Sequence, residues 1–349
     1  MRAALFDERG NEVRGAQIHS RRSIAVSDFA ELDPDRLIDE VVNTIDQLLA
    51  HHVVPIDLIA ISAFWHSLLG IDSNGRPTTA LLTWADTRAA HFADDLRLRF
   101  DEPEIHARTG CRFHPSYWPA KLEWLRSVHN SKFHDTRCWV GFAEYLCLRL
   151  FGESSTSIST ASASGLFNQR NCDWDWEFVH DLEIARDTLP PLKTQTGARL
   201  ADSFALRWPA LAGARLVTVV GDGAANNIGA GCVGKGRVAL MVGTSGAMRV
   251  VFAGEPPDKL APGLWCYRAS RERPVVGGAL SDGGGLVQWF TESLNLDADR
   301  AELEEQIVAL EPDAHGLTVL PFWSGERSTG WLADARGGIF GLRQQTTPI

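Results

Sequence analysis

Lysine is nearly missing from this chain: of its 34 basic residues, five are Lys and 29 are Arg. That skew reads as the coding bias of a GC-rich genome and carries no function. Positive charge is scarce altogether, because 44 acidic residues leave a formal charge of -10. A sequence-independent nucleic-acid binder is thereby excluded, although a few local donors can still hold a small anionic substrate. The six cysteines, at 111, 138, 147, 172, 232 and 266, include no C-x-x-C pair. Neither a zinc knuckle nor a thioredoxin-type motif fits, and reduced, mostly buried thiols are expected. No run of about 18 apolar residues occurs, and the opening Met1–Asp7 lacks the apolar core of a secretion signal, so the reading is cytoplasmic with no membrane partner. No Gly-x-Ser-x-Gly elbow is found, and no His/Cys/Asp/Glu set stands at metal-ligand spacing, so no resident metal is expected.

What is present suits a globular protein. The 349 residues, 44% of them hydrophobic, are enough for two domains with a core each. Strands are expected at 2–7 and 12–19 around the turn Asp7–Gly10. Asp33-Pro34 supplies a cap and a first-turn proline for a helix running to about His51. The apolar, β-branched stretch Ile56–Phe64 predicts a buried strand. Helices are expected at 88–100, 118–129, 142–151 and 175–186, with a loop over 188–200. From residue 214 the texture shifts to strand Ala214–Val220, small-residue helix Ala224–Val233, and strands at 238–242 and 248–252. Helices at 284–295 and 298–310 and a strand at 317–321 follow. The alternation implies α/β architecture.

Asp222 lies between two glycines, after a strand and just before a helix. Open α/β sheets bind ligands at that edge, where a carboxylate can take a proton from an attacking hydroxyl. It equally suits a residue that merely caps the helix, and both readings stand at this point. Gly221-x-Gly223-x-x-Asn226 imitates a dinucleotide fingerprint but has Asn where close helix packing wants Gly or Ala. Gly229-x-x-x-x-Gly234-Lys235-Gly236 imitates a P-loop but lacks the magnesium-holding hydroxyl and precedes a strand. Gly243-Thr244-Ser245-Gly246 offers converging N–H groups and two hydroxyls for a phosphate, though in isolation an ordinary hairpin turn is the better reading. Phe64-Trp65-His66-Ser67 and Trp84-Ala-Asp86-Thr-Arg88 each place flat aromatic and polar groups after a strand, a mixture that suits carbohydrate.

In their order and spacing these blocks resemble the FGGY family of carbohydrate kinases, nearest its gluconokinase-like members. The blocks are F-W-H-S-L-L-G (64–70), T-W-A-D-T-R (83–88), G-D-G-A-A-N-N (221–227), G-T-S-G-A (243–247) and P-F-W-S-G-E-R-S (321–328). Lys121-Leu-x-Trp124-Leu125 keeps part of a further signature, with Trp118 where a small residue or Pro is usual. The resemblance implies an actin-like ATPase (ribonuclease H-like) fold of two α/β domains, 1–235 for the substrate and 236–349, incomplete, for the nucleotide. It implies ATP and Mg2+ as cofactors and a sugar or sugar acid as acceptor, gluconate first and xylulose or another polyol next.

Carried over by position, Asp222 is the general base, and Trp65, His66, Trp84, Asp86 and Ser116 fall where substrate is bound. Gly243, Thr244 and Ser245 match a phosphate turn, and Gly284 and Gln288 the nucleotide side. The family's opening strand with its Asp-x-Gly-Thr turn, whose Asp organises magnesium, has no counterpart before Met1. Its Gly-rich adenosine motif has none after Ile349. A partial chain is therefore expected. A non-catalytic sugar-binding protein is the alternative from another class, and a homodimer is left open.

Overall fold

The computed structural model describes residues 1–20, 31–52, 54–193, 197–217, 219–293 and 300–346. The chain opens in the expected antiparallel hairpin, Arg2–Phe6 against Glu12–His19. Asp7 closes its turn by accepting from the Arg9 and Asn11 N–H groups. Asp33 caps the helix Pro34–Leu49 by accepting from the Asp35 and Arg36 N–H groups. Leu37 and Ile38 enter the core, with Val41, Ile45 and Leu49 packed against it from the same apolar stripe.

The strand expected over Ile56–Phe64 is broken into Leu58–Ile59 and Ser62–Ala63. Its parallel partner breaks at the matching place, into Arg215–Leu216 and Val220–Gly221. Hydrogen bonds run through the interruption: Arg215 N donates to Asp57 O, Val217 N to Ile59 O and Val220 N to Ile61 O. The offset between partners grows by one residue across that series, the signature of a bulge. Bulges bend a strand and re-aim the residues beyond it. Here those residues are Gly221 and Asp222.

Helices Ala90–Arg99, Trp118–Val128 and Phe142–Phe151 stand where periodicity places them. Of the segment 175–186 only Trp176–Asp181 is α-helical, because Glu183 takes a positive φ of 54° and ends it; a 3-10 turn starts at Arg186. An unexpected helix, Glu102–Thr109, starts on an Asp101 cap and stops at Gly110 in the left-handed conformation. The helix after the bulge runs Asp222–Gly229, two residues earlier than expected.

In the second half, four antiparallel strands pair in the order Ala239–Val242, Gly246–Val251, Arg273–Leu280, Trp265–Ser270. The last two lie outside the expected strands; Arg268 interrupts the apolar pattern of the one and Arg273 opens the other. Helices Gly284–Ser293 and Arg300–Val308 and the strand Thr318–Leu320 follow; the linking residues 294–299, part of two expected helix ends, lie outside the described residues.

The strand Trp265–Ser270 joins the two halves. Cys266 N donates to Gly110 O at 3.0 Å, and Arg268 N to Ser162 Oγ at 2.9 Å. Trp65, Tyr117, Trp265, Tyr267, Val275 and Trp331 share one buried cluster across that junction. Trp265 stacks on Tyr267 with ring centroids 4.2 Å apart. By contrast Leu240, Val242, Met248 and Leu280 stand exposed on the four-stranded sheet. All six cysteines are free, as expected. No helix among the described residues is long and apolar enough to cross a membrane.

Candidate active site

Asp222 is the first residue of its helix, with Gly221 in the cap position. Its Oδ1 accepts from the adjacent Gly223 N–H at 2.8 Å, and no side chain caps this helix. The N-cap is therefore Gly221, while the Asp222 carboxylate bonds a first-turn N–H from inside the helix. Asp222 is exposed as a residue, yet protein crowds its carboxylate enough to desolvate it. That desolvation raises its pKa, against the pull of the Gly223 and Trp65 N–H groups and of Arg249 and Arg327. A carboxylate made more basic while still reachable is suited to accept a proton.

Trp65 lies under this turn and does not face the open cavity. Its indole N–H donates to Ser159 O at 2.9 Å, and its ring packs on Tyr267 at 5.1 Å. A Cβ on Gly221 would overlap the Trp65 ring, so the Asp222 turn is seated on that ring through glycine. Gly221→Ala is expected to displace Asp222 and to cost about 1–3 kcal/mol, the usual penalty of overpacking. Paired thermal melts and turnover measurements check this, and unchanged values for both would contradict it.

His66 has φ 66°, an uncommon conformation for a non-glycine residue. Its carbonyl accepts from the buried Lys121 Nζ at 2.7 Å, which also donates to Ser116 O at 2.8 Å. His66 Nδ1 lies 2.7 Å from Ala163 O. A carbonyl only accepts, so Nδ1 carries the proton and Nε2 is left as an acceptor. Burial, then the nearby Arg327, lowers the His66 pKa well below its ordinary value and keeps the ring neutral. A neutral Nε2 can accept from a sugar hydroxyl.

A cavity of about 880 Å³ is lined among others by Trp84, His114, Ser116, Thr244, Arg327 and Trp331; its wall does not include Trp65, His66 or Asp222. Ser116 Oγ donates to Trp84 O at 2.8 Å and fixes that tryptophan's backbone. His114 Nδ1 lies 3.2 Å from the Ser116 N–H and 3.0 Å from Ser116 Oγ, so Ser116 also holds that ring in place. Asp86 is buried outside the cavity wall. Arg88 holds it at 2.6 Å and also reaches Glu31 at 2.7 Å, so its carboxylate is committed to a salt-bridge cluster.

On the other side, Gly243–Ser245 is the turn of the hairpin that pairs Val242 with Gly246. It is more than a turn. Gly284 N donates to Gly243 O at 2.6 Å and Gly285 N to Thr244 O at 3.2 Å. A Cβ on Gly283 would come within 2.7 Å of the Ser245 backbone, so glycine is what lets these chains touch. Thr244 and Gly285 line the cavity, with Leu286 and Trp289 on the same helix. Gln288 is turned away, its amide donating to Glu292 at 2.8 Å.

The structure thus brings Trp84, Ser116 and Thr244 to one cavity, with Trp65 beneath Asp222, His66 buried against Trp65, Tyr117 and Tyr267, and Asp86 and Gln288 engaged elsewhere. Two residues not singled out in the sequence, Arg249 and Arg327, stand by Asp222. Arg327 belongs to the 321–328 block, and its guanidinium lies 5.2 Å over the Trp84 ring. Nothing local distinguishes Arg249 from other strand arginines.

Residues 1–229 match the N-terminal domain, and residues 238–349 the C-terminal domain, of the FGGY family of carbohydrate kinases. The gluconokinase of Bacillus subtilis (strain 168) is 28% identical over 354 residues, which cover 98% of this chain and 69% of that protein. The crystal structure of gluconate kinase from Lactobacillus acidophilus superposes with a TM-score of 0.89 at 28% identity, covering 98% of this chain and 70% of that one. A ligand-bound xylulose kinase from the same organism gives the same TM-score, identity and coverage. The fold is therefore the actin-like ATPase architecture. The chain belongs to the FGGY family of carbohydrate kinases and is a phosphotransferase with a sugar hydroxyl as its acceptor.

Proposed function

We propose that this protein transfers the γ-phosphoryl group of ATP, carried with Mg2+, to a hydroxyl of a sugar acid, with gluconate the favoured acceptor. One observation carries the reading: Asp222 stays reachable while its surroundings make it more basic, at the end of a bulged strand beside two arginines. Asp222 takes the proton of the acceptor hydroxyl as the oxygen attacks. His66 Nε2 accepts from a second hydroxyl, Trp84 offers a flat apolar face, and Ser116 holds Trp84 in place. Trp65 positions the Asp222 turn from below.

The nucleotide side suits ATP. The Gly243–Ser245 turn leaves Thr244 exposed at the cavity, and a Cβ on Gly243 would meet nothing within 4 Å. Gly284 acts through its backbone contact with this turn. Bound there, MgATP supplies the phosphoryl group and the charge that neutralises it during in-line transfer. No cluster of three or more metal-ligating side chains occurs among the described residues. That fits an ion that arrives on the nucleotide and keeps several waters; the carboxylates lining the cavity are those of Asp94, Asp282 and Asp334. The division of labour we propose is substrate on 1–235 and nucleotide on 236–349.

Gluconate is preferred to xylulose on the relatives and on the unpaired guanidinium atoms of Arg249 and Arg327 near Asp222. ADP release measured against gluconate, xylulose and glycerol tests this. Gluconate is expected to show the highest kcat/KM, by roughly 10-fold or more. A similar margin in favour of xylulose or glycerol would overturn the sugar-acid reading.

A further inference from the structure

Partly buried arginines in this chain are characteristically paired. Arg88 meets Asp86 at 2.6 Å, Arg108 meets Asp175 at 2.9 Å and Arg112 meets Glu102 at 2.6 Å. Arg249 and Arg327 break that pattern. Among the described residues neither has a carboxylate within salt-bridge distance, and neither guanidinium makes a hydrogen bond. Arg249 Nε and Nη1 and Arg327 Nε are wholly buried without partners. A guanidinium withdrawn from water and left unpaired is costly unless an anion completes it.

The two belong to one site. Each lies near enough to Asp222 to bear on its carboxylate, and Arg327 bears on Arg249 as well. A Cβ on Gly223 would stand 2.9 Å from Arg249 Nε, so the guanidinium is pressed against the Asp222 turn. Arg327 lines the 880 Å³ cavity over Trp84. Asp222 alone cannot balance two fixed positive charges, and it must be free to take a proton.

We infer that Arg249 and Arg327 form the seat for the carboxylate of an acid substrate, and so set the preference for sugar acids over neutral sugars. This rests on the sugar-acid reading above. A carboxylate matches the planar fork of a guanidinium, and charge-assisted pairs shielded from water are strong. The other anion present in the reaction is the triphosphate. Arg249 lies well along its strand from the Gly243–Ser245 turn, three residues past Gly246, on the side of Asp222, Trp65 and Tyr267. That location favours the acceptor over the nucleotide.

The test compares gluconate with glucitol, the same carbon chain with a neutral CH2OH in place of the carboxylate. Kinetics are measured for the wild type and for Arg249→Met, Arg249→Lys and Arg327→Met. Each Met variant is expected to lower the gluconate-to-glucitol ratio of kcat/KM by roughly 10–100-fold, with the loss in gluconate KM and the ATP KM little changed. Arg249→Lys keeps the charge without the fork and should fall between wild type and Met, which guards against a variant that simply fails to fold. Equal losses on gluconate and glucitol would overturn the inference. So would a rise in ATP KM with gluconate KM unmoved, which would assign the pair to the triphosphate. A wild type that phosphorylates only neutral sugars would remove the sugar-acid reading itself, and that failure is visible before any substitution is made.

Discussion

Replacing Asp222 with Asn is expected to lower kcat by about 10²–10⁴-fold, the range that a positioned general base contributes. Sugar binding should change little, because the amide keeps the shape of the carboxylate and can still accept from the Gly223 N–H. The pH profile gives a sharper check. A base works only when deprotonated, so kcat/KM falls as pH drops through the Asp222 pKa. Desolvation raises that pKa, so the fall should begin at a higher pH than for an ordinary carboxylate. In Asp222→Asn this acid limb should vanish along with most of the rate. Substantial turnover in the variant, with the limb intact, would assign the base to another group.

Lys121→Met carries the second large expected effect, this time on stability. The buried Lys121 donates to both His66 O and Ser116 O, and methionine can donate to neither. Two buried carbonyls left unsatisfied cost about 1–3 kcal/mol each, so about 2–6 kcal/mol of unfolding free energy should be lost at pH near 10.5, where the lysine has no buried-charge penalty for the substitution to relieve. Urea denaturation measures it, and a loss below about 1 kcal/mol would contradict the bonding described. Activity should fall too, since His66 and Ser116 both lose their anchor.

The same lysine gives the stability a pH dependence. Burial lowers its pKa from 10.5 to about 7, with Asp86 opposing and Arg327 adding to the shift. Between those values the unfolded chain binds a proton that the folded one does not. Stability should therefore rise with pH across that window, and the penalty of the buried charge is fully present below about 7. His66 and His114, lowered mainly by burial, add a second dependence: their contribution is present above 6.5 and is lost as pH falls towards their folded values. Lys121→Met should flatten the alkaline part of the curve and leave the acid part.

How much of this was legible beforehand follows from what each feature depends on. The Asp33-Pro34 helix start and the hairpin around Asp7 are local chemistry, and they stand as read. Asp222 was found because Gly-Asp-Gly after an apolar strand is a local pattern too, but the bulge that aims it involves a pairing with Ile59 and Ile61 far away in sequence. The Glu102–Thr109 helix had readable signals in Asp101, Pro103 and Gly110. Its short, charged sequence lacks the apolar stripe that periodicity detects.

The site was less legible than the fold. Trp65 and Trp84 look alike as aromatics after strands, and only packing puts one beneath the Asp222 turn and the other on the cavity. Asp86 reads as a free carboxylate until Arg88 is seen to close on it. The unpaired state of Arg249 and Arg327 is a property of three-dimensional surroundings, and no spacing announces it. That charge imbalance is nevertheless the feature most informative about the acceptor.

The measurement that bears most directly on the central claim is phosphorus NMR of the purified protein with MgATP and gluconate. The account predicts a new phosphomonoester resonance that grows in step with ADP, no accumulation of inorganic phosphate, and neither change in Asp222→Asn on the same timescale. Inorganic phosphate without a phosphorylated sugar, or no consumption of ATP with any sugar or sugar acid, would contradict it.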